Sequence, residues 1–266
     1  MKAYLSFIKL RFNVGLQYRF AAIAGVATQF FWGAMTMLMY EAYFRAGIDT
    51  PMAWNELISY IWLRQAFLML ITFNFVDSDI RESIVSGQVS YEFVRPLNIY
   101  WYWYSKLFAS KIASTLLRFI PIILVASLLP KPYGLTLPAS FGAFILFLIT
   151  MFLGLILSLG ITMIIYSMMF YTTSSKGLFS VYAVIADFFA GGTIPIPFMP
   201  TLLQTISYIL PFRLILDLPF RLYVGNISIQ EGITSVAIQL VWIFVVILAG
   251  MFLINRASKK LVVQGG

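Results

Sequence analysis

Residues 137–166 read LPASFGAFILFLITMFLGLILSLGITMIIY. A bilayer core needs about 20 predominantly apolar residues when crossed by a helix rising 1.5 Å per residue. This run satisfies that length, and the rest of the chain repeats the pattern. Hydrophobic residues make up 61% of the 266 residues and charged residues only 11%, against roughly 45–50% and 25% in soluble domains. A water-soluble fold of this size has nowhere to bury so much apolar surface, so the solvent is lipid.

Five further runs complete an all-α integral membrane protein of six transmembrane helices: 20–43, 54–76, 99–129, 177–192 and 236–254. Pro130, Pro132 and Gly134 break the third, and Arg256, Lys259 and Lys260 stop the last. Residues 1–18 are expected as an N-terminal amphipathic helix lying in the membrane interface. Tyr4, Leu5, Ile8 and Phe12 fall on one face, and Lys2, Ser6, Lys9 and Asn13 on the other. Lys9, Arg11 and Arg19 interrupt the apolar core that a cleavable signal peptide needs.

Cysteine and histidine are both absent. That excludes thiolate metal sites and removes the commonest general base and metal ligand. No metal, no cofactor and no catalytic residue is expected in the chain. The net charge of +8 belongs to residues flanking apolar runs, which points to anionic membrane lipids rather than nucleic acid. Six spans place both termini on one side. That side collects Lys2, Lys9, Arg11, Arg19, Arg81, Arg95, Lys106, Lys111, Lys176, Arg256, Lys259 and Lys260, against Arg45, Lys131, Arg213 and Arg221 opposite. The bias puts both termini in the cytoplasm.

The fifth span ends irregularly at Gly191-Gly192, and Pro195, Pro197 and Pro200 prevent the helix from continuing. The apolar stretch 202–210 is about half a bilayer long and reads as a re-entrant outer helix. The outer segment 194–231 closes with 212–231, expected as a surface loop with short helical pieces.

Two groups of residues are candidates for function. Segment 77–98 is polar and lies between spans two and three. Asp77 or Ser78 caps a short helix in which Ile80, Ile84 and Val85 form an apolar stripe, and Ser86-Gly87 ends it. It is either a helix offered to a cytoplasmic partner or an ordinary loop. Tyr100 to Tyr104 are five aromatics in a row, expected at the interface. The second group is the intramembrane charges Arg64, Arg118 and Asp187, because a lone charge in the bilayer calls for a partner. Arg64–Asp187 is the first pairing and Arg118–Asp187 the second, as a gate or substrate contact or as a structural ion pair. Glu41 and Arg45 form an i,i+4 surface pair. Gly154, Ser158 and Thr162 give a stripe of small residues for close helix packing.

The run Ser86-Gly87-Gln88-Val89-Ser90-Tyr91-Glu92-Phe93-Val94-Arg95-Pro96-Leu97-Asn98 resembles the signature of the ABC type-2 permeases, in particular the bacterial branch with Gly and Arg-Pro-Leu before the third span. Pro211-Phe212-Arg213, Pro219 and Gly225 are similar to the same branch, as is the order of segments along the chain. Ser90 stands where the family pattern has an acidic residue. The resemblance implies a permease subunit of a bacterial inner-membrane exporter, paired with an identical or paralogous permease and with two copies of a separate ATPase that binds ATP-Mg. It places ATPase coupling on Asp79, Ile80, Arg81, Ile84, Gly87, Phe93, Arg95 and Pro96, and an outer gate at Gly191, Gly192, Pro195, Pro197 and Pro200. No Gly-rich phosphate loop is present in the chain. A secondary transporter needs no ATPase, but such folds show paired interrupted helices in two halves, and one interruption is visible here. An intramembrane enzyme lacks the Ser–His, paired-Asp or metal constellation it needs.

Overall fold

The computed structural model describes residues 2–17, 19–47, 49–93, 96–172 and 175–258, with residues 2, 3, 19, 93, 175 and 258 described in backbone only. Every regular element among them is helical: α1 (Lys2–Gly15), α2 (Arg19–Arg45), α3 (Trp54–Ala66), α4 (Leu68–Ile71), α5 (Ser78–Val85), α6 (Val89–Phe93), α7 (Ile99–Leu128), α8 (Phe141–Met169), α9 (Ser175–Phe189), α10 (Thr201–Ile209), α11 (Asp217–Val224) and α12 (Ile229–Ser258). Tight 3₁₀ turns at Ile196–Phe198 and Pro211–Leu214 flank α10. Four helices are long and apolar enough to cross a membrane: Phe20–Arg45, Ile99–Leu128, Phe141–Met169 and Ile229–Ala257.

α8 is the centre of the bundle because small residues let its neighbours approach. A Cβ on Gly160 would stand 2.6 Å from Val246 Cγ2, so glycine sets the closeness of α8 and α12. Gly154 meets backbone instead: its Cβ would lie 3.2 Å from Ile215 Cα and O. The small-residue stripe therefore does more than pack two helices. Gly154 admits the chain that leads into α11, and Ser158 Oγ receives a hydrogen bond from Lys111 Nζ at 3.4 Å. Buried Gln239 of α12 ties the same parts together, donating through Nε2 to Thr150 O at 3.0 Å and Leu214 O at 2.9 Å.

The structure changes several sequence expectations. The helix expected over 54–76 breaks at Phe67 and ends at Ile71. The reason is a cation: Lys111 Nζ donates to Leu70 O and Thr72 O at 3.0 and 2.9 Å, satisfying carbonyls that a longer helix would have used. The helix expected over 236–254 begins seven residues earlier, at Ile229. Ser228 Oγ accepts from Glu231 N at 3.2 Å, the N-terminal cap of that helix. Segment 212–231 is not a surface loop. Leu214, Ile215, Leu216, Asp217, Leu218, Phe220 and Leu222 are all buried.

The aromatic run does not form a belt either. Helical geometry turns Tyr100, Trp103 and Tyr104 into the core and leaves Trp101 exposed. Tyr104 donates to Ile156 O at 2.9 Å, and Trp103 Nε1 to Glu92 Oε2 at 2.6 Å. α1 docks on this end of α7: the Phe7 and Tyr102 rings lie 4.7 Å apart, Tyr4 OH accepts from Asn98 N at 3.1 Å, and a Cβ on Gly15 would stand 2.7 Å from Ala113 Cβ.

Gly154→Leu is expected to push α11 from α8 and lower folding stability by about 1–3 kcal/mol, the usual range for overpacking. Thermal unfolding of the purified protein in detergent checks this. Unchanged melting would remove the close α8–α11 approach as a stability determinant.

Candidate functional site

α5 owes its position to one lysine. Asp77 caps the helix, its Oδ1 accepting from Ile80 N at 3.0 Å, and Asp77 N donates to Tyr166 OH at 2.8 Å. Lys106 of α7 then grips both ends of the first turn, with Nζ 2.6 Å from Asp77 Oδ1 and 2.7 Å from Asp79 Oδ2. Arg11 of α1 reaches Asp79 Oδ2 at 3.4 Å. The Lys106 hydrogen bond is the main reason the Asp79 carboxyl is held below its ordinary value of 3.8, with the Arg11 charge adding to it. Lys106 and Lys111 are both buried, so neither is the membrane-flanking charge the sequence suggested.

This anchoring decides which face of α5 is presented. Ile80 and Ile84 point into the protein's own core, whereas Val85 is 69% exposed. The expected apolar stripe is therefore split: two members hold the helix down and one faces out. The outward surface is Ser78, Asp79, Glu82, Val85, Ser86, Gly87, Gln88 and Tyr91. Arg81 is partly covered, beside Glu82 at 3.9 Å. Gly87 has φ +76°, a left-handed turn that separates α5 from α6. Pro96 is exposed; Arg95 and the Phe93 side chain lie outside the described residues. Arg81, Glu82, Val85, Ser86, Gln88 and Lys176 line a shallow cleft, which brings the start of α9 beside α5.

The opposite end is organised by Asp217, which the sequence reading did not single out. It is fully buried. Arg221 Nη1 lies 3.3 Å from its Oδ2, and Tyr60 OH of α3 is 3.5 Å from its Oδ1. Tyr60 OH also donates to Gly191 O at 3.3 Å. Arg221 further donates to Tyr208 OH at 3.1 Å and Asn226 Oδ1 at 2.7 Å. Arg213 sits 4.0 Å above the Tyr208 ring. One polar cluster thus joins α3, the Gly191 turn, α10 and α11. The available signal was the i,i+4 spacing of Asp217 and Arg221 on either side of Pro219.

The residues after α9 fold onto this cluster. Gly191 has φ +85° and faces Tyr60 OH and Ile196, where a Cβ would be 3.2 Å from each. Pro195 precedes the 3₁₀ turn, Pro197 lies within it, and Pro200 precedes α10. Phe198 packs between Tyr40 and Tyr43 of α2, with ring centres 5.3 and 6.2 Å away.

The intramembrane pairings are not formed. Asp187 folds back over Gly192 and accepts from Thr193 Oγ1 at 3.2 Å, because the Gly191 turn returns the chain to it. Arg64 and Arg118 instead line one cavity of about 360 Å³ with Gly25, Thr28, Gln29, Trp32, Thr36, Gln65 and Leu68. The Arg118 guanidinium lies flat against Gly25, where a Cβ would clash with it. Glu41 and Arg45 do pair, at 2.5 Å.

A bundle of long apolar helices joined by short capped segments defines a multi-pass membrane protein. The family model described as ABC-2 family transporter protein matches residues 30–265. The chain belongs to that family, a membrane component of transport and not a catalytic domain. No curated protein matches it.

Lys106→Met leaves Asp77 with less compensation at a largely buried site, and is expected to cost about 3 kcal/mol of stability. Asp79 is held low in the folded state, so its share of stability is complete above 3.8. It fades as the pH falls through the depressed folded value. The amide protection factors of α5, taken against the intrinsic exchange rate at each pH, should therefore fall on acidification below about 4 in wild type, and already at neutral pH in Lys106→Met. Equal α5 protection in both proteins at neutral pH contradicts the anchoring role.

Proposed function

We propose that this chain is the permease subunit of an ATP-driven exporter in a bacterial inner membrane. It has six spans, both termini are cytoplasmic, and α10 is a re-entrant outer helix. The α3–α4 pair and α9 serve as the second and fifth spans, one shortened by the Lys111 cap and the other by the Gly191 turn. Two permeases, identical or paralogous, form the substrate path, and two ATPase subunits that bind ATP-Mg drive it. Membership of the ABC-2 family supports this reading, since such permeases work with ATPase partners.

The observation that carries it is the fixed, outward-facing surface of α5 and α6. A helix that transmits force must be rigid toward the membrane and open toward its motor. Asp77, Asp79 and Lys106 supply the rigidity, and Ile80 and Ile84 supply the apolar anchor. Glu82, Val85, Gln88 and Tyr91 supply the free surface. ATPase docking therefore rests on those four residues, while Ile80 and Ile84 act as internal supports. Export proceeds by alternating access, with the outer cluster around Asp217 and Gly191 as the outer gate.

Co-purification with a nucleotide-binding ATPase tests the reading. A triple variant Glu82→Arg, Val85→Asp, Tyr91→Ala should retain the wild-type melting temperature, because all three side chains face out or lie at the rim. It should lose ATPase binding at least tenfold, about 1.4 kcal/mol, whereas Arg45→Gln at the far end should not. Wild-type ATPase retention by the triple variant, or transport by the permease alone in ATP-free proteoliposomes, refutes it.

A further inference from the structure

We propose that the cavity between α2, α3 and α7 binds the acidic head group of an amphipathic molecule, a phosphate monoester or similar hydroxyl-bearing acid, through Arg64 and Arg118. The inference rests on the permease reading for its physiological role, but not for the binding itself.

Two arginines face the cavity, and its lining contains no Asp or Glu. Neither arginine belongs to any of the ion pairs found among the described residues. Arg64 Nε is buried and has no hydrogen-bond partner. Uncompensated cations at membrane depth cost several kcal/mol, and arginine forks are suited to bidentate contact with phosphate or carboxylate oxygens. A second observation is independent of charge. Gln29 lines the same cavity at 2% exposure. Its Nε2 donates to Gln65 O at 3.0 Å, which fixes the amide, but its Oε1 has no partner. A buried acceptor beside two cations matches a ligand that offers both anionic oxygens and a hydroxyl donor, as the monoanion of a phosphate monoester does.

The walls say what the rest of the ligand is. Trp32, which lines the cavity, is exposed, as are Phe31 and Met35 beside it on α2. The mouth of the site thus opens across an apolar helix face, where a hydrocarbon tail remains in lipid while the head group enters. The closeness of Arg118 to Gly25 is part of the same construction. A glycine at that point of α2 is what lets the guanidinium reach the cavity between the helices.

The test uses the full chain, without ATPase, in neutral-detergent micelles. Tryptophan fluorescence is followed while dodecyl phosphate is added. The expected result is a saturable change that dodecanol does not produce and that Trp32→Phe abolishes. Arg64→Gln and Arg118→Gln should each weaken the affinity about 10–100-fold, the loss expected of a charge-assisted contact. Arg64→Lys should restore part of it, which shows that the site remains folded. Repeating the titration in phosphatidylglycerol nanodiscs identifies the source. A response suppressed relative to phosphatidylcholine nanodiscs assigns the site to a resident lipid, and a persistent response to a mobile amphiphile; either supports the proposal. Equal binding of dodecanol and dodecyl phosphate overturns it, as does unchanged affinity in the double Gln variant. So does a shift from dimer to monomer in that variant with no fluorescence response in wild type, because the arginines then meet an acid of a second permease. Absence of ATPase binding, by contrast, would remove the permease reading and leave this result standing.

Discussion

Lys106 is an ammonium buried in an apolar helix, within hydrogen-bond distance of two carboxylates on another segment. A cation in that position is stable only while the carboxylates stay, and Asp77 in turn caps α5. The charge therefore fixes the rotation of α5 as well as its location. One turn further along α7, Lys111 uses its ammonium differently, capping the carbonyls where α4 ends. Together the two lysines convert what would be a long second span into a short helix, an extended connection and a firmly held surface helix. The shape of the proposed ATPase-facing surface follows from those two side chains.

The same logic, with the signs arranged otherwise, governs the far end. Asp217 is the buried charge there, and Arg221 and Tyr60 are its partners. Tyr60 also holds Gly191 O, so the turn that ends α9 is attached to the helix that carries Arg64. One hydroxyl thus ties α3 to the Gly191 turn. Both ends of the molecule use a small number of neutralised charges to lock irregular backbone against regular helices. This is how non-helical segments persist in a protein otherwise made for lipid.

Much of this was legible in the sequence, and the reasons for the rest are specific. Apolar run length located the long helices, since lipid imposes that constraint directly. The irregularity after Gly191-Gly192 was visible because glycine and proline act locally. What the sequence hid depended on tertiary partners. Lys106 and Lys111 look like interfacial charges until the segment carrying Asp77, Leu70 and Thr72 is folded against α7. Ile80 and Ile84 look like a docking stripe until the core beneath them is seen. Segment 212–231 looks exposed because it carries prolines and charges, yet Gly154 opens a place for it inside. The early start of α12 has a local signal in Ser228, three residues before Glu231, the spacing of a capping box.

The distribution of charge separates support from use. At the α5 end, Lys106 and Arg11 face Asp77 and Asp79. At the other end, Arg221 faces Asp217 and Arg45 faces Glu41. These cations have a carboxylate within reach, whereas Lys111 is held by carbonyls and Arg213 by the Tyr208 ring. Between them, Arg64 and Arg118 share a cavity whose lining has no acid, and Asp187, the carboxylate within the same helical body, is turned toward Thr193. Selection for stability alone would favour apolar replacements at both arginines, because a packed leucine avoids the desolvation that a guanidinium suffers there. Their position beside an unpartnered glutamine oxygen is the feature that the proposed acidic head group compensates.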